Sequence, residues 1–561
     1  MAKSRKPKGK ITYYQVEKFS TLREMLDKSA AEAGDTVAFR YKENEHDYEK
    51  TYSEFLSDTE ALGAALTDLG HRTDHIACIG INSYRWAVTY LTVVKSACVF
   101  VPIDKELPSD DIINILIHSD SRAVFCDAHY LPILKENAHR LPDIENVICF
   151  DKTDAAIGTL RLYDFDTLLE NGKSMDKHEY DILQNDPMKL RMLVYTSGTT
   201  GMAKGVMLSE HNLVSSIYYG LQVSTVYDTC LSVLPYHHTY EAVSGILVSL
   251  HHHSTICIND KIRNVQKNLM QYHPSYVYLV PAFAEFFYKK INESIDKTGK
   301  RQDFDKAIKI SNALLKVGID VRRKLFKNIH EQFGGRLIKI VCGGAPIRPE
   351  VGDFFNAIGI NLINGYGITE CSPLVSANND TFNDPTTVGV KLPCVDIKID
   401  NETEDGTGEI CVRGDVVMMG YYKNLEQTAK VLVDGWFYTG DYGRMNDYGQ
   451  LLITGRKKNI IVLSNGKNVY PEEIEAYIAR LPYITDVIVS SDASKHGEQF
   501  SLIAEIYCEE GVSDHSNLDV LGEIQSACAG LPPYKMISKV VIRTEPFPKT
   551  TTNKIKRNYA S

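Results

Sequence analysis

Leu22, Met25, Leu26, Ala30 and Ala33 recur at intervals of three and four. That spacing predicts a helix over 21–33 with one buried face. Phe55, Leu56, Leu62, Ala65 and Leu66 repeat the pattern over 52–69. Short apolar runs intervene at 75–79, 97–101 and 123–126, the length of strands buried on both faces. Strands alternating with helices predict parallel α/β layers. Residues 231–234, 276–280 and 338–341 continue the series.

After Val388 the texture changes. Short strand patterns at 398–400, 408–413 and 450–454 are split by turn clusters such as Glu404-Asp405-Gly406-Thr407-Gly408. They predict a small antiparallel barrel or sheet closing a large N-terminal body. A boundary is expected near Gly455-Arg456-Lys457-Lys458. Beyond it Pro471 opens a helix over 471–478, with Glu472 and Glu473 in its first turn. Strands over 487–489, 501–506 and 539–542 and a helix over 514–529 make a small α+β domain. The division is therefore a body of 1–455 and a C-terminal domain of 456–561.

The chain has 561 residues and a net charge of −10, which argues against a nucleic-acid partner. From Leu531 onward, however, seven basic residues face Glu545 alone. This end is expected to oppose phosphates. Twelve cysteines are scattered with no CxxC pair. They read as buried small hydrophobes of a reducing, cytoplasmic compartment. No targeting segment is visible. The most apolar stretch, 275–287, is too short to span a bilayer and is broken by Pro281 and Glu285. The basic arm Met1 to Lys10 leaves peripheral contact with an anionic membrane open. His251-His252-His253 is read as incidental, because consecutive residues cannot all face one ion. Oligomeric state is not readable.

The densest chemistry lies at Leu193-Val194-Tyr195-Thr196-Ser197-Gly198-Thr199-Thr200-Gly201-Met202-Ala203-Lys204-Gly205. Glycines let backbone amides approach an oxyanion, hydroxyls donate further, and Lys204 adds a point charge. These parts suit a polyphosphate, yet the Gly-Lys-Ser/Thr ending of a Walker loop is absent.

This segment resembles the phosphate loop of the adenylate-forming enzymes, which include acyl-CoA synthetases, luciferases and peptide-synthetase adenylation domains. Further segments match in the family's order. Asn364-Gly365-Tyr366-Gly367-Ile368-Thr369-Glu370 resembles the adenine and magnesium motif, Tyr438-Thr439-Gly440-Asp441 the ribose motif, and Thr454-Gly455-Arg456-Lys457-Lys458 the hinge. Pro548 to Arg557 resembles the catalytic-lysine motif, with Asn553 where the family has Gly. Leu531-Pro532-Pro533-Tyr534-Lys535 also matches, but Ile537 replaces the usual proline.

The resemblance implies ATP, Mg2+ and coenzyme A as co-substrates or cofactors. It places ATP on Thr196, Ser197, Gly198, Thr199, Thr200, Gly201, Lys204, Gly344, Ala345, Asn364, Gly365, Tyr366, Gly367, Thr369, Asp441, Arg456 and Lys554. Tyr366 offers a flat face to adenine, with Gly344 and Ala345 approaching from the other side. Asp441 accepts from the ribose hydroxyls, supplemented by Arg456. Glu370 and Thr196 are the expected magnesium residues. Lys554 is the expected catalytic residue for the first step, with Lys549 and Lys556 as rivals. Lys204, Thr196, Glu370 and His238 complete the catalytic set. His238 lies in Pro235-Tyr236-His237-His238-Thr239-Tyr240-Glu241, which resembles the acid-pocket motif. The paired histidines look most like bacterial long-chain fatty-acid synthetases, as does Asn465 to Glu475. Lys458 is the implied hinge of a mobile lid, and Ser464, Asn465 and Gly466 the implied lining of the CoA channel. The expected activity is activation of a carboxylic acid as acyl-AMP with release of pyrophosphate, then transfer to CoA. Medium-chain or aryl acids, or a luciferase-like oxidase, remain as alternatives.

Overall fold

The computed structural model describes residues 10–153, 156–183, 186–196, 203–462, 468–491, 502–508, 519–549 and 555–557. The first two predicted helices run Leu22–Ala33 and Tyr52–Asp68. Thr21 and Thr51 cap them by accepting from Glu24 N and Glu54 N, and Glu54 returns the bond to Thr51 N as a capping box.

Among the described residues, two large sheets form the body. One has eight strands, in the spatial order Gly420–Tyr421, Lys204–Ser209, Leu190–Thr196, Val99–Ile103, His75–Ile79, Ser121–Cys126, Asn146–Cys149 and Arg161–Asp164. The six from Leu190–Thr196 onward are parallel. The other has nine strands, with a parallel centre built from Asn361–Gly367, Lys339–Cys342, Tyr276–Leu279, Thr229–Ser232, Thr255–Ile258 and Val37–Glu43. The strand expected over 231–234 thus sits two residues earlier, and Val233 to Pro235 turn away from its end.

Both sheets contribute to the largest core. Trp86 lies edge-on to Phe100 of the first sheet at 5.2 Å and to Tyr236 at 5.1 Å, and Tyr276 of the second sheet is fully buried in the same cluster. Burying one such aromatic stabilises the fold by roughly 2–3 kcal/mol. The antiparallel structure expected after Val388 is a five-stranded sheet of Val395–Asp400, Gly408–Gly414, Leu432–Val433, Trp436–Met445 and Leu451–Arg456.

A small C-terminal domain follows, with its own core of Val469, Ile474, Val487, Ile506, Ile524 and Ile537 among others. Its larger sheet has the strands Ile484–Ser491, Leu502–Cys508 and Ile537–Arg543, and Ile461–Val462 pairs with Asn468–Val469. The described part of the helix expected over 514–529 is Val520–Ala527, capped by Asp519 accepting from Gly522 N at 2.9 Å. All twelve cysteines are unpaired, and eleven are buried. His251 ends the helix Val248–His251 and packs on Phe19 at 4.6 Å, while His253 faces Glu32 at 3.7 Å. No described helix is long and apolar enough to cross a membrane.

Candidate active site

The phosphate-loop segment joins two strands of a hairpin. Leu190–Thr196 pairs antiparallel with Lys204–Ser209, and Thr196 stands opposite Lys204 in the register. Ser197, Gly198, Thr199, Thr200 and Gly201 lie outside the described residues. The hairpin fixes the loop's base, so the hydroxyl of Thr196 and the ammonium of Lys204 start from adjacent points.

Lys204 Nζ lies 3.3 Å from Gln427 Oε1 and 5.0 Å from the centre of the Tyr421 ring. The Tyr421 hydroxyl donates to Glu370 Oε1 at 3.0 Å. Tyr421 therefore links the predicted phosphate lysine to the predicted metal carboxylate, 51 residues apart in sequence from the latter. Sequence reasoning missed both Tyr421 and Gln427. The only signal is Gly420, whose φ of +139° lets the Gly420–Tyr421 strand lie against Met207 and Val206.

Glu370 sits in the short turn Thr369–Cys371 after the strand Asn361–Gly367. Burial raises its pKa, while Tyr421 and the more distant Arg456 pull it back. A partly desolvated carboxylate held by its own backbone amide and one hydroxyl has no full counter-charge beside it. This is the electrostatic condition under which a cation would bind. Among the described residues no cluster of three His, Cys, Asp or Glu could hold a metal. Glu370 and Thr196 are the residues here that could hold a magnesium ion, with substrate phosphates completing its shell.

The predicted nucleoside residues converge on the next strands. Tyr366 is 8% exposed, and its hydroxyl donates to Asp441 Oδ2 at 2.7 Å. Asp441 stands opposite Arg456 in the register, and Arg456 Nε lies 3.1 Å from Asp441 Oδ1. The segments expected to hold adenine and ribose and the expected hinge segment are joined here through one carboxylate. Gly344 has a φ of +84° just beyond the strand Lys339–Cys342, a conformation that a side chain would strain; Ala345 follows it. Gly367 is close-packed, since a Cβ there would sit 2.4 Å from Pro373 O. Gly365 lies opposite Ala377. Asn364 and Thr369 are buried, and Asn364 donates to Thr387 O at 3.2 Å, which ties it to the supporting loop.

His238 stands on the turn that follows the strand Thr229–Ser232. Its Nδ1 accepts from Tyr240 N at 3.1 Å, so the ring proton of the neutral form is on Nε2. The adjacent His237 is spent on Asp104, 3.5 Å away. After the turn the chain enters an eight-residue π-helix, Tyr240–Leu247, which apolar spacing did not reveal.

At the expected hinge, Lys457 pairs with Glu409 at 2.5 Å, and burial together with Arg456 and Arg557 lowers the pKa of Lys458. Ser464, Asn465, Gly466 and Lys554 lie outside the described residues. The flanking Lys549 and Ile555 form a bridge, and Arg557 pairs with Glu475 on the helix Pro471–Ile478. Lys549 is 2.8 Å from Asp486, which occupies this rival of Lys554. The basic end is largely neutralised within its own domain, because Lys535 and Arg543 also pair with Glu473 and Glu505. It is a weaker phosphate-facing surface than its charge count implies.

The family profile "AMP-binding enzyme" matches residues 26–422. Long-chain-fatty-acid–CoA ligase FadD15 of Mycobacterium bovis is 30% identical over 470 residues, covering 79% of this chain and 75% of that protein. Long-chain-fatty-acid–CoA ligase 5 of Rattus norvegicus is 27% identical over 96% of this chain and 85% of its own length. In fold, the anthranilate CoA ligase AuaEII solved with anthranoyl-AMP superposes with a TM-score of 0.79 at 17% identity, over 96% of each chain. With the family profile spanning well over half of its length, this chain belongs to the AMP-binding enzyme family.

Proposed function

We propose that this chain is an ATP-dependent acid–thiol ligase that activates a long-chain fatty acid and passes it to coenzyme A. The observation that carries the proposal is the junction at Asp441, which ties Tyr366 to Arg456 beside the half-buried Glu370. It supports a site that grips a nucleoside at one end and its phosphates at the other. The names of the relatives support the substrate class.

In the first step a carboxylate oxygen of the acid attacks the α-phosphorus of ATP. An acyl–phosphate bond forms, the α–β bond breaks, and pyrophosphate leaves. His238 Nε2–H donates to the acid and orients it. Lys204 and the loop amides neutralise the β- and γ-phosphates, and Lys554 stabilises charge on the α-phosphate in the transition state. A magnesium ion bound at Glu370 and Thr196 would supply further phosphate charge neutralisation. In the second step the thiol of CoA attacks the acyl carbon and AMP leaves. The domain of 456–561 then turns about Lys458, withdraws Lys554 and brings Ser464, Asn465 and Gly466 to line the thiol channel. The twelve unpaired cysteines support a reducing compartment such as the cytoplasm.

A panel of straight-chain acids from short to long, with benzoates, tests this by thioester formation and oxygen uptake. Thioester formed best with long chains, without oxygen uptake, is expected. A preference for medium or aryl acids would replace the substrate class, and oxygen uptake without thioester would replace the reaction.

A further inference from the structure

The fully buried Glu241 has no part in the chemistry above. It is the second residue of the π-helix Tyr240–Leu247, three residues after His238. Its Oε1 lies 2.5 Å from Ser232 Oγ on the last residue of the preceding strand, and Ser232 Oγ lies 3.2 Å from the Tyr236 hydroxyl. The side chain thus closes a ring across the segment 232–241, with His238 on its crown. The backbone repeats the closure, since His238 O accepts from both Glu241 N and Ala242 N at 3.0 Å. Asn82 anchors the other flank, accepting from Tyr236 N at 3.0 Å and donating to Leu234 O at 2.7 Å. Gly245, one turn on, leaves the room: a Cβ there would stand 2.6 Å from the Glu241 carboxyl carbon. A π-helical turn at such a place is itself uncommon and often marks a functional site.

We propose that Glu241 is a positioning residue, whose carboxyl, braced on Ser232 and housed over Gly245, sets the turn that aims His238 at the substrate acid. This rests on the acid-binding role of His238 given above.

The brace works with a neutral carboxyl. Burial pushes its pKa up to about 8, against hydrogen bonds from Ser232 and the Leu234 backbone that pull it down. Oε2 is sealed from solvent without a hydrogen-bond partner among the described residues. The titratable groups coupled to it are Cys230, Tyr236, Tyr240 and Tyr278, all pushed up by burial and so uncharged, and none of them is a cation. Ser232 Oγ donates to Glu241 Oε1 and lies within reach of the Tyr236 hydroxyl. Ionisation would place an unpaired charge in this ring and loosen it.

The test compares Glu241→Gln, Glu241→Ala and Gly245→Ala with the wild type in acid-dependent ATP–pyrophosphate exchange from pH 6.5 to 9.5. Glu241→Gln should keep kcat/KM for the acid at pH 7 and abolish the wild-type loss above about pH 8. Glu241→Ala and Gly245→Ala should lower kcat/KM for the acid about tenfold or more and leave KM for ATP unchanged. An unchanged Glu241→Ala, an equal loss for acid and ATP, or an alkaline loss that persists in Glu241→Gln would each overturn the inference. Thermal unfolding supplies a readout independent of catalysis. The folded pKa lies above the ordinary carboxyl value, so wild-type stability should fall relative to Glu241→Gln as pH rises from about 4.5 to about 8, then level off. If no acid supports exchange, the functional proposal fails, and a pH-independent difference in Tm would still refute the braced neutral acid.

Discussion

Replacing Asp441 with Asn removes one negative charge from a side chain that is only 6% exposed and serves two partners. It accepts from the Tyr366 hydroxyl at 2.7 Å and faces Arg456 Nε at 3.1 Å. Hydrogen bonds to a charged group contribute about 1.5–3 kcal/mol each. The ribose of ATP would engage the same carboxylate, so the loss of charge should weaken nucleotide binding by about 2–3 kcal/mol, roughly 30- to 150-fold in KM for ATP. Tyr366→Phe keeps the ring and loses one such bond, so about tenfold is expected. The two residues share a bond, and the double variant should therefore fall short of the sum by more than about 0.5 kcal/mol. The assay is ATP–pyrophosphate exchange, with ATP varied at saturating acid and acid varied at saturating ATP. KM for the acid should stay near wild type, because its binding turn belongs to a different part of the site. A rise in both KM values together, or strict additivity of the two substitutions, would show that Asp441 merely holds the fold.

Lys554→Ala should nearly abolish adenylation yet largely spare thioester formation from supplied acyl-adenylate. Lys549→Ala, whose ammonium already serves Asp486, should change the adenylation rate little. Asp380→Asn strips the fully buried Lys339 of its carboxylate partner at 2.5 Å and should lower stability by about 3–5 kcal/mol in guanidinium unfolding. A thiol reagent should label the native chain slowly and reach all twelve cysteines only after unfolding, since Cys394 alone is partly exposed and burial pushes its pKa up to about 12.

The layered body was legible because its strands are short apolar runs separated by helical spacing, and each run can be buried on both faces. The site was legible where its residues fall in contiguous motifs. Tyr366 and Asp441 are 75 positions apart, yet each lies in a motif of its own. Tyr421 was not legible, because a tyrosine on a two-residue strand carries no local pattern and its role arises only from meeting Lys204 and Glu370. The strand at 229–232 was misplaced by two residues because Leu231, Val233 and Leu234 are apolar whether in the strand or past its end. The π-helix escaped for a related reason: Val243, Ile246 and Leu247 satisfy ordinary helical spacing. The basic end misled because the acids that neutralise it, Glu473, Glu475, Asp486 and Glu505, come from other elements of the same domain.

On the proposed reading, the residues around Asp441, Glu370 and His238 join a carboxylic acid to AMP. Exchange of labelled pyrophosphate into ATP, measured with and without a long-chain fatty acid, tests it most directly. Exchange that depends on the acid and disappears in Lys554→Ala is the predicted result. No exchange with any acid, or exchange that proceeds equally without one, would contradict it.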